Sequence, residues 1–354
     1  MSRPLRVLLV DDSSFVRRAS ERMLTPATDI EVVGTAANGR EAVERVHELK
    51  PDVVVMDVNM PEMSGLEALE HIMRERPTPV LLMSTTTKEG ADVTLRGLEL
   101  GAVDFLDKGS VGAMINLYDL APVLREKIRG VAAIDVSRAL ARTESAAAGR
   151  ADKLSCAECD VIGIGASTGG PRALSALIEE LPADLDAGIV IAQHMPDGFT
   201  ETFAERLDRK CPLRVRQAKD GDQIVAGTVL VAPGRRDATV EKGAGDNLRI
   251  RISDLRDDRG SHPSVDLLFT SLARAAGSRA VGVIITGMGE DGAVGLRAIR
   301  EAGGRTIAES EATAVIYGMP RAAAEFADQV LDLPDIAAAL GQLARSPQGS
   351  GGIS

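Results

Sequence analysis

The stretch Val161–Pro171 reads VIGIGASTGGP. Its first half, Val161–Gly165, is an uninterrupted apolar run of the kind that forms a parallel strand buried on both faces. The second half is a glycine-rich turn, and Pro171–Leu181 carries the apolar spacing of a following helix. Ser167 sits in that turn among Gly165, Gly169 and Gly170. A serine at a strand-to-helix turn stands at the carboxyl edge of a sheet, where N–H groups of the helix start face whatever it attacks. The spacing matches G-x-S-x-G at Gly165, Ser167 and Gly169, whereas the dinucleotide fingerprint G-x-G-x-x-G fails because Thr168 occupies its third glycine position. Such turns most often bind phosphate or nucleotide, and G-x-S-x-G alone is a weak sign of a nucleophile, so acyl transfer stands here as the alternative that the serine opens.

Outward from this turn, Gly188–Gln193, Thr228–Ala232 and Ala280–Thr286 read as further parallel strands. Asp237–Lys242 and Asn247–Ile252, around Gly243–Asp246, read as an antiparallel hairpin attached to a mostly parallel sheet. A nucleophilic serine needs a base, and this half holds His194 and His262. His194 lies just past Gly188–Gln193 and shares the strand-end edge with Ser167; His262 lies in GSHPSVDLLF, before a helix. Asp291, in GMGEDG after Ala280–Thr286, reaches the same edge and is placed to orient an imidazole, with Glu290 as its local competitor. The glycines around Met288 leave N–H groups accessible for an oxyanion. The chain order serine, histidine, aspartate excludes the α/β-hydrolase fold, whose order is serine, acid, histidine.

Residues 1–128 alternate short apolar runs with amphipathic segments. Leu5–Val10, Glu31–Ala36, Asp52–Met56, Pro79–Met83 and Val103–Leu106 read as five strands of a parallel sheet covered on both faces. Asp11 and Asp12 follow the first strand, Asp57 ends the third, Ser84 closes the fourth and Lys108 closes the fifth. All fall on the carboxyl edge, where such sheets bind ligands. Three carboxylates repel one another, and Mg²⁺ with its oxygen ligands is the natural remedy. The chemistry of such a site is phosphoryl transfer onto Asp57, with Mg²⁺ and Lys108 neutralising the incoming oxygens.

Composition narrows the class. A chain of 354 residues accommodates two domains of ordinary size. A net charge of −11 argues against a nucleic-acid partner, and 2% aromatics with no Trp leave few platforms for stacking bases. The apolar run Leu5–Val10 is too short for a signal peptide, and no run approaches a membrane span, so a cytoplasmic protein without membrane insertion is expected. The segment 129–158, which includes RTESAAAGRAD at Arg142–Asp152, reads as a linker, and 344–354 as a disordered tail. Cys156 and Cys159 form a C-x-x-C without a second ligand pair and outside any thioredoxin-like unit, so metal or redox chemistry is not expected there.

Residues 1–128 resemble the receiver domain of two-component response regulators, on Asp11-Asp12, Asp57 with Met60-Pro61 and Gly65, Ser84, Phe105 and Lys108. The resemblance implies that Asp57 accepts a phosphoryl group from a chemosensory histidine kinase, and that Asp11, Asp12, Asp57 and the Asn59 backbone carbonyl hold Mg²⁺. Ser84, Phe105 and Lys108 are then the switch residues. Lys108-Gly109 departs from the usual Lys-Pro, which bears on the local loop geometry. Residues 159–343 look like the catalytic domain of chemotaxis protein-glutamate methylesterases, on IGASTGGP, QHMP, VAPG, SVDLLF and TGMGEDG. This second resemblance implies a triad of Ser167, His194 and Asp291, with Thr168 beside the nucleophile, Met288 at the oxyanion loop and no cofactor. It also implies two doubly wound α/β domains, the second mostly parallel with an antiparallel hairpin. The implied substrate is the γ-glutamyl methyl ester on the cytoplasmic region of a chemoreceptor, with deamidation of receptor glutamines as a companion activity. The unphosphorylated receiver is expected to cover the active-site mouth.

Overall fold

The computed structural model describes residues 3–85, 87–108, 120–134, 159–253 and 262–343. The chain divides into two compact units, Met1–Ser145 and Ala146–Ser354.

In the first unit the strands are β1 (Leu5–Val10), β2 (Ile30–Ala36), β3 (Val53–Asp57), β4 (Val80–Ser84) and β5 (Asp104–Asp107). They form one sheet in the order β2-β1-β3-β4-β5, with every pair parallel. β3 and β4 are buried along their whole length, as their unbroken apolar runs require. The strand order reverses between β1 and β3, which opens the ligand crevice at their carboxyl ends. β3, β4 and β5 each start and end one residue later than the apolar runs suggest. Asp57, Ser84 and Asp107 are polar, yet their backbones still pair in the ladder as Asp57↔Met83 and Ser84↔Asp107. The helix Gly65–Glu75 is started by a capping box of Ser64 and Glu67, and it buries Ala68, Leu69 and Ile72. It begins on a glycine because a Cβ at Gly65 would lie 2.0 Å from the Asp57 carbonyl oxygen.

In the second unit the strands are β6 (Val161–Ala166), β7 (Gly188–Gln193), β8 (Arg214–Gln217), β9 (Gln223–Ile224), β10 (Thr228–Val231), β11 (Ala238–Lys242), β12 (Leu248–Ile252), β13 (Ala280–Ile284), β14 (Arg305–Glu309) and β15 (Gln329–Leu331). Seven of them form a sheet in the order β15-β14-β13-β6-β7-β10-β8, all parallel. The chain builds to one side of β6 and then to the other, so the switch point lies between β6 and β13.

The expected antiparallel hairpin is present beside the parallel sheet. β11 and β12 pair with β9 in a separate three-stranded antiparallel sheet instead of joining the parallel one. Val240, Leu248 and Ile250 of the hairpin cluster with Leu268, Phe269 and Leu272 of the helix Val265–Ala276. That helix also receives the Val240 N–H on Ser271 Oγ at 2.8 Å. The helix in turn lies close on β6. A Cβ at Gly163 would meet Leu272 at 2.5 Å, and one at Gly165 would meet Val265 at 2.3 Å. The glycines before Ser167 are therefore packing residues.

Four strands of this unit, β8, β9, β14 and β15, escape the apolar-run reading. β8 exposes Arg214 and Arg216 at the sheet edge, and β14 places Thr306 and Glu309 in the core. The helix Ala121–Ala132 continues through the first residues of the expected linker. Residues 135–158 and 344–354, with Cys156, lie outside the described residues, while Cys159 is buried. Among the described residues no helix is long and apolar enough to cross a membrane.

Gly65→Ala should lower the stability of the first unit by about 1–3 kcal/mol, because the helix start must move off the end of β3. Denaturant melts of the two proteins measure this, and superimposable curves would refute the steric reason for glycine.

Candidate active site

The parallel register of β6 and β7 pairs Ala166 with Gln193, so Ser167 and His194 leave neighbouring strand ends side by side. The His194 N–H donates to the Ala166 carbonyl at 3.0 Å. On the opposite flank the Ser167 N–H donates to the Thr286 carbonyl just past β13, also at 3.0 Å. The turn closes on itself through Gly170 N–H to Ser167 O at 2.8 Å. Gln193, buried, clamps it by donating Nε2 to the carbonyls of Ser167 at 2.9 Å and His194 at 3.0 Å. Gly169 has φ 79° and packs where a Cβ would sit 2.7 Å from Val315, so conformation and space both demand glycine there.

His194 Nε2 and Asp291 Oδ2 are 2.8 Å apart. Asp291 also accepts the N–H groups of Val265 at 2.9 Å and Asp266 at 3.0 Å, and the Ser264 hydroxyl at 3.4 Å. Burial raises the cost of its charge, but the bond and charge of His194 and the two N–H groups outweigh it, holding the carboxyl below its ordinary range. Asp266 returns the arrangement by accepting Gly292 N–H at 3.0 Å and Gly295 N–H at 2.7 Å. Asp291 thus caps the helix Val265–Ala276, and Asp266 caps the helix Ala293–Glu301. Burial, with the neighbouring Asp291 charge, pushes the Asp266 carboxyl up.

The other sequence candidates separate cleanly. Glu290 is exposed. His262 is engaged by Nδ1 with Asp237 at 2.9 Å. Thr168 is buried, and its carbonyl accepts the Thr286 hydroxyl at 2.9 Å. Met288 is half-buried in the loop after β13. This loop lies against the turn after β6, since a Cβ at Gly287 would stand 2.8 Å from the Ser167 Cβ. Sequence reasoning missed Gln193, Ser264, Asp266 and Thr286 as positioning residues. A signal existed for two of them: Ser264 before an apolar run, with Asp266 in the first turn, is a helix-start signature.

In the first unit, carboxylate oxygens of Asp11, Asp12 and Asp57 all lie within 4.8 Å of one another. Lys108 Nζ reaches Asp11 Oδ2 at 2.5 Å and Asp57 Oδ1 at 2.9 Å. Burial pushes the Asp57 carboxyl above its ordinary value, opposed by Lys108 and reinforced by Asp11. The donor set is all hard oxygen, which suits Mg²⁺. Asn59 is exposed two residues past Asp57. Ser84 Oγ donates to Gly90 O at 3.2 Å and to Thr85 O at 3.5 Å and accepts from Thr94 Oγ1 at 2.5 Å, so it is tied to the helix Lys88–Glu99 and its approach and not to Asp57. Phe105 is buried, and Gly109 lies outside the described residues.

The depressed Asp291 carboxyl has a stability consequence. Its contribution is fully present above the ordinary carboxylate range and is lost as pH falls through the lowered folded value. Asp291→Asn should therefore unfold at a lower temperature than the parent at neutral pH, and the gap should shrink below about pH 4. Thermal melts across that range test this, and a gap independent of pH would show that the charge is not what the site stabilises.

Residues 7–116 match the family described as response regulator receiver domain, and residues 162–340 that described as CheB methylesterase. The chain is 44% identical over 350 residues to protein-glutamate methylesterase/protein-glutamine glutaminase 2 of Pseudomonas aeruginosa, covering 98% of this chain and 99% of that protein. It is 42% identical over 344 residues to the protein-glutamate methylesterase/protein-glutamine glutaminase of Geobacillus kaustophilus, covering 96% and 98%. The solved catalytic domain of the Thermotoga maritima CheB methylesterase, 37% identical, covers 52% of this chain and 99% of that one with a TM-score of 0.51. Similarity that runs the length of both units, and not over one shared domain, shows that the chain belongs to the CheB methylesterase family.

Proposed function

We propose that this chain is a receiver-controlled, cytoplasmic protein-glutamate methylesterase and protein-glutamine glutaminase acting on the cytoplasmic region of chemoreceptors. The observation that carries the reading is the His194–Asp291 pair, 2.8 Å apart, on the strand end beside Ser167. Asp291 accepts from Nε2–H, which leaves the lone pair of the neutral ring on Nδ1 as the base. Ser167 Oγ bonds to the ester carbonyl carbon while its proton passes to Nδ1. The negative charge that develops on the carbonyl oxygen is met by N–H groups of the Met288 loop beside Ser167. The intermediate collapses, the C–O bond to the methoxy group breaks, and the imidazolium returns its proton to give methanol. Water, deprotonated by the same nitrogen, then releases the glutamate carboxylate and regenerates Ser167. An amide substrate follows the same path and releases ammonia.

Receiver 1–128 and catalytic domain 159–343 are joined by 129–158. An Asp57 oxygen attacks the phosphorus of a phosphohistidine on the kinase, and the P–N bond breaks. Asp11, Asp12 and Asp57, with the Asn59 carbonyl, would hold Mg²⁺, which when bound neutralises phosphoryl oxygens. Lys108, which bridges Asp11 and Asp57, supplies a second cation to the same oxygens. Ser84 exchanges its bond to Gly90 for one to the phosphoryl group, and Phe105 repacks with it. A swing from 1:99 to 99:1 between inhibited and active states requires about 5.5 kcal/mol, within reach of several new charge-assisted bonds.

Ser167→Ala should abolish methanol release from methylated receptor membranes, leaving at most about 10³–10⁴-fold over water. His194→Ala should cost about as much, because a triad fails as a unit, and His262→Ala far less. Substantial activity in Ser167→Ala, or the reverse ranking of the histidines, would overturn the assignment.

Asp57→Asn should hold the full-length enzyme at its unstimulated rate in the presence of a small-molecule phosphodonor that accelerates the parent. Equal stimulation of both proteins would place control elsewhere.

A further inference from the structure

β14 ends in Glu309, which is fully buried at the same sheet edge as Ser167. Its Oε2 accepts the Thr286 N–H at 2.7 Å. Thr286 is the residue on which the nucleophile turn hangs. Its carbonyl accepts the Ser167 N–H, its hydroxyl donates to the Thr168 carbonyl at 2.9 Å, and the same hydroxyl accepts the Ile316 N–H at 2.9 Å. Gly287, the next residue, donates to Ile316 O at 3.1 Å and accepts from Met319 N–H at 2.8 Å. One carboxyl therefore fixes the peptide that carries both the turn and the start of the Met288 loop.

We propose that Glu309 is a positioning residue for the esterase reaction, holding Ser167 through Thr286, and that it does so as a neutral carboxyl. This rests on Ser167 being the nucleophile. A buried carboxylate needs a cation or several donors. Asp332, of like sign, is the one charged group acting on Glu309 among the described residues, while the Thr286 N–H and Thr313 hydroxyl are the groups that favour its anion. Burial dominates and pushes the carboxyl from 4.5 up to about 7. Above that range a second negative charge appears behind the loop that must receive a developing oxyanion, and catalysis weakens. Folding responds with the same sign. The native chain holds a proton that the unfolded chain has released, so Glu309 lowers stability progressively as pH rises from 4.5 through about 7.

The test is the pH profile of kcat for methyl-ester hydrolysis by the parent, Glu309→Gln and Glu309→Ala. The parent should show an alkaline fall near neutrality. Glu309→Gln, which keeps an acceptor for Thr286 and cannot ionise, should match the parent's best rate and lose that fall. Glu309→Ala should lose roughly tenfold in kcat with KM unchanged, the worth of one buried hydrogen bond at the transition state. Thermal melts should show Glu309→Gln gaining on the parent as pH rises. An unchanged alkaline fall in Glu309→Gln, or a parental kcat in Glu309→Ala, overturns the proposal. If Glu309→Ala does not fold, the Glu309→Gln profile decides alone. A parent that releases no methanol refutes the esterase reading instead, and methanol release undiminished by Ser167→Ala refutes the nucleophile on which the proposal rests.

Discussion

The Asp291 carboxylate is the point on which the second unit turns. It accepts from an imidazole, two backbone N–H groups and a hydroxyl. Those donors come from β7's end and from the start of the helix Val265–Ala276, so the carboxylate fixes an imidazole and a helix together. Asp266 does the reciprocal service for the helix Ala293–Glu301. Each aspartate satisfies donors that would otherwise be orphaned in a half-buried place, and each uses the positive end of the other's helix. The histidine partner is anchored by the same bonds that hold the fold. Ionisation at this place is consistent with that surrounding, because four donors converge on one anion.

This arrangement requires the helix Val265–Ala276 to approach β6 closely. Gly163 and Gly165 permit it, since any side chain there would strike Val265, Phe269 or Leu272. The glycines of IGASTGGP therefore divide by task. Those before Ser167 let a helix bring Asp291's donors close, and those after it shape the turn itself. A similar close approach operates in the first unit, where Gly65 lets a helix start against the end of β3. In both units a glycine near a candidate site residue marks where a helix packs within contact distance of the strand.

Much of this was legible in the sequence, and the failures are as physical as the successes. β1, β3, β6 and β7 are buried on both faces, so hydrophobicity alone reveals them. Strand ends follow from that, and with them the edge shared by Ser167, His194 and Asp291, and the cluster of Asp11, Asp12, Asp57 and Lys108. β14 was hidden because it carries Thr306 and Glu309 into the core, where polarity reads as loop. The hairpin β11–β12 was visible, but its partner was not. β9 is two residues long, and nothing in a pair of alternating strands tells which sheet they join. The cap exchange was invisible for a different reason: in the sequence Asp291 reads as opening its own helix, and only the tertiary structure shows it serving another. Ser84 is a similar case, since strand position gives its edge but not the Gly90 and Thr94 bonds that direct its hydroxyl.

Both units place chemistry at a switch point of a parallel sheet, yet the electrostatics are opposite. The first gathers three carboxylates around one lysine. The second holds one anion already satisfied by donors. The bonds of the turn after β6 argue against phosphate binding there. A phosphate cradle needs free N–H groups converging from the turn. Here the Ser167 N–H is bonded to Thr286 and the Gly170 N–H to Ser167 O. The carbonyl oxygens of Ser167 and His194 are held in place by Gln193, whose own Oε1 lies against Gly170, so close that a Cβ there would come within 2.0 Å. An acceptor oxygen aimed at the helix start repels a phosphate where a nucleotide site would attract it. With those two N–H groups engaged, the turn offers a phosphate fewer donors than a cradle needs, and the proposed role of Ser167 asks for its hydroxyl instead.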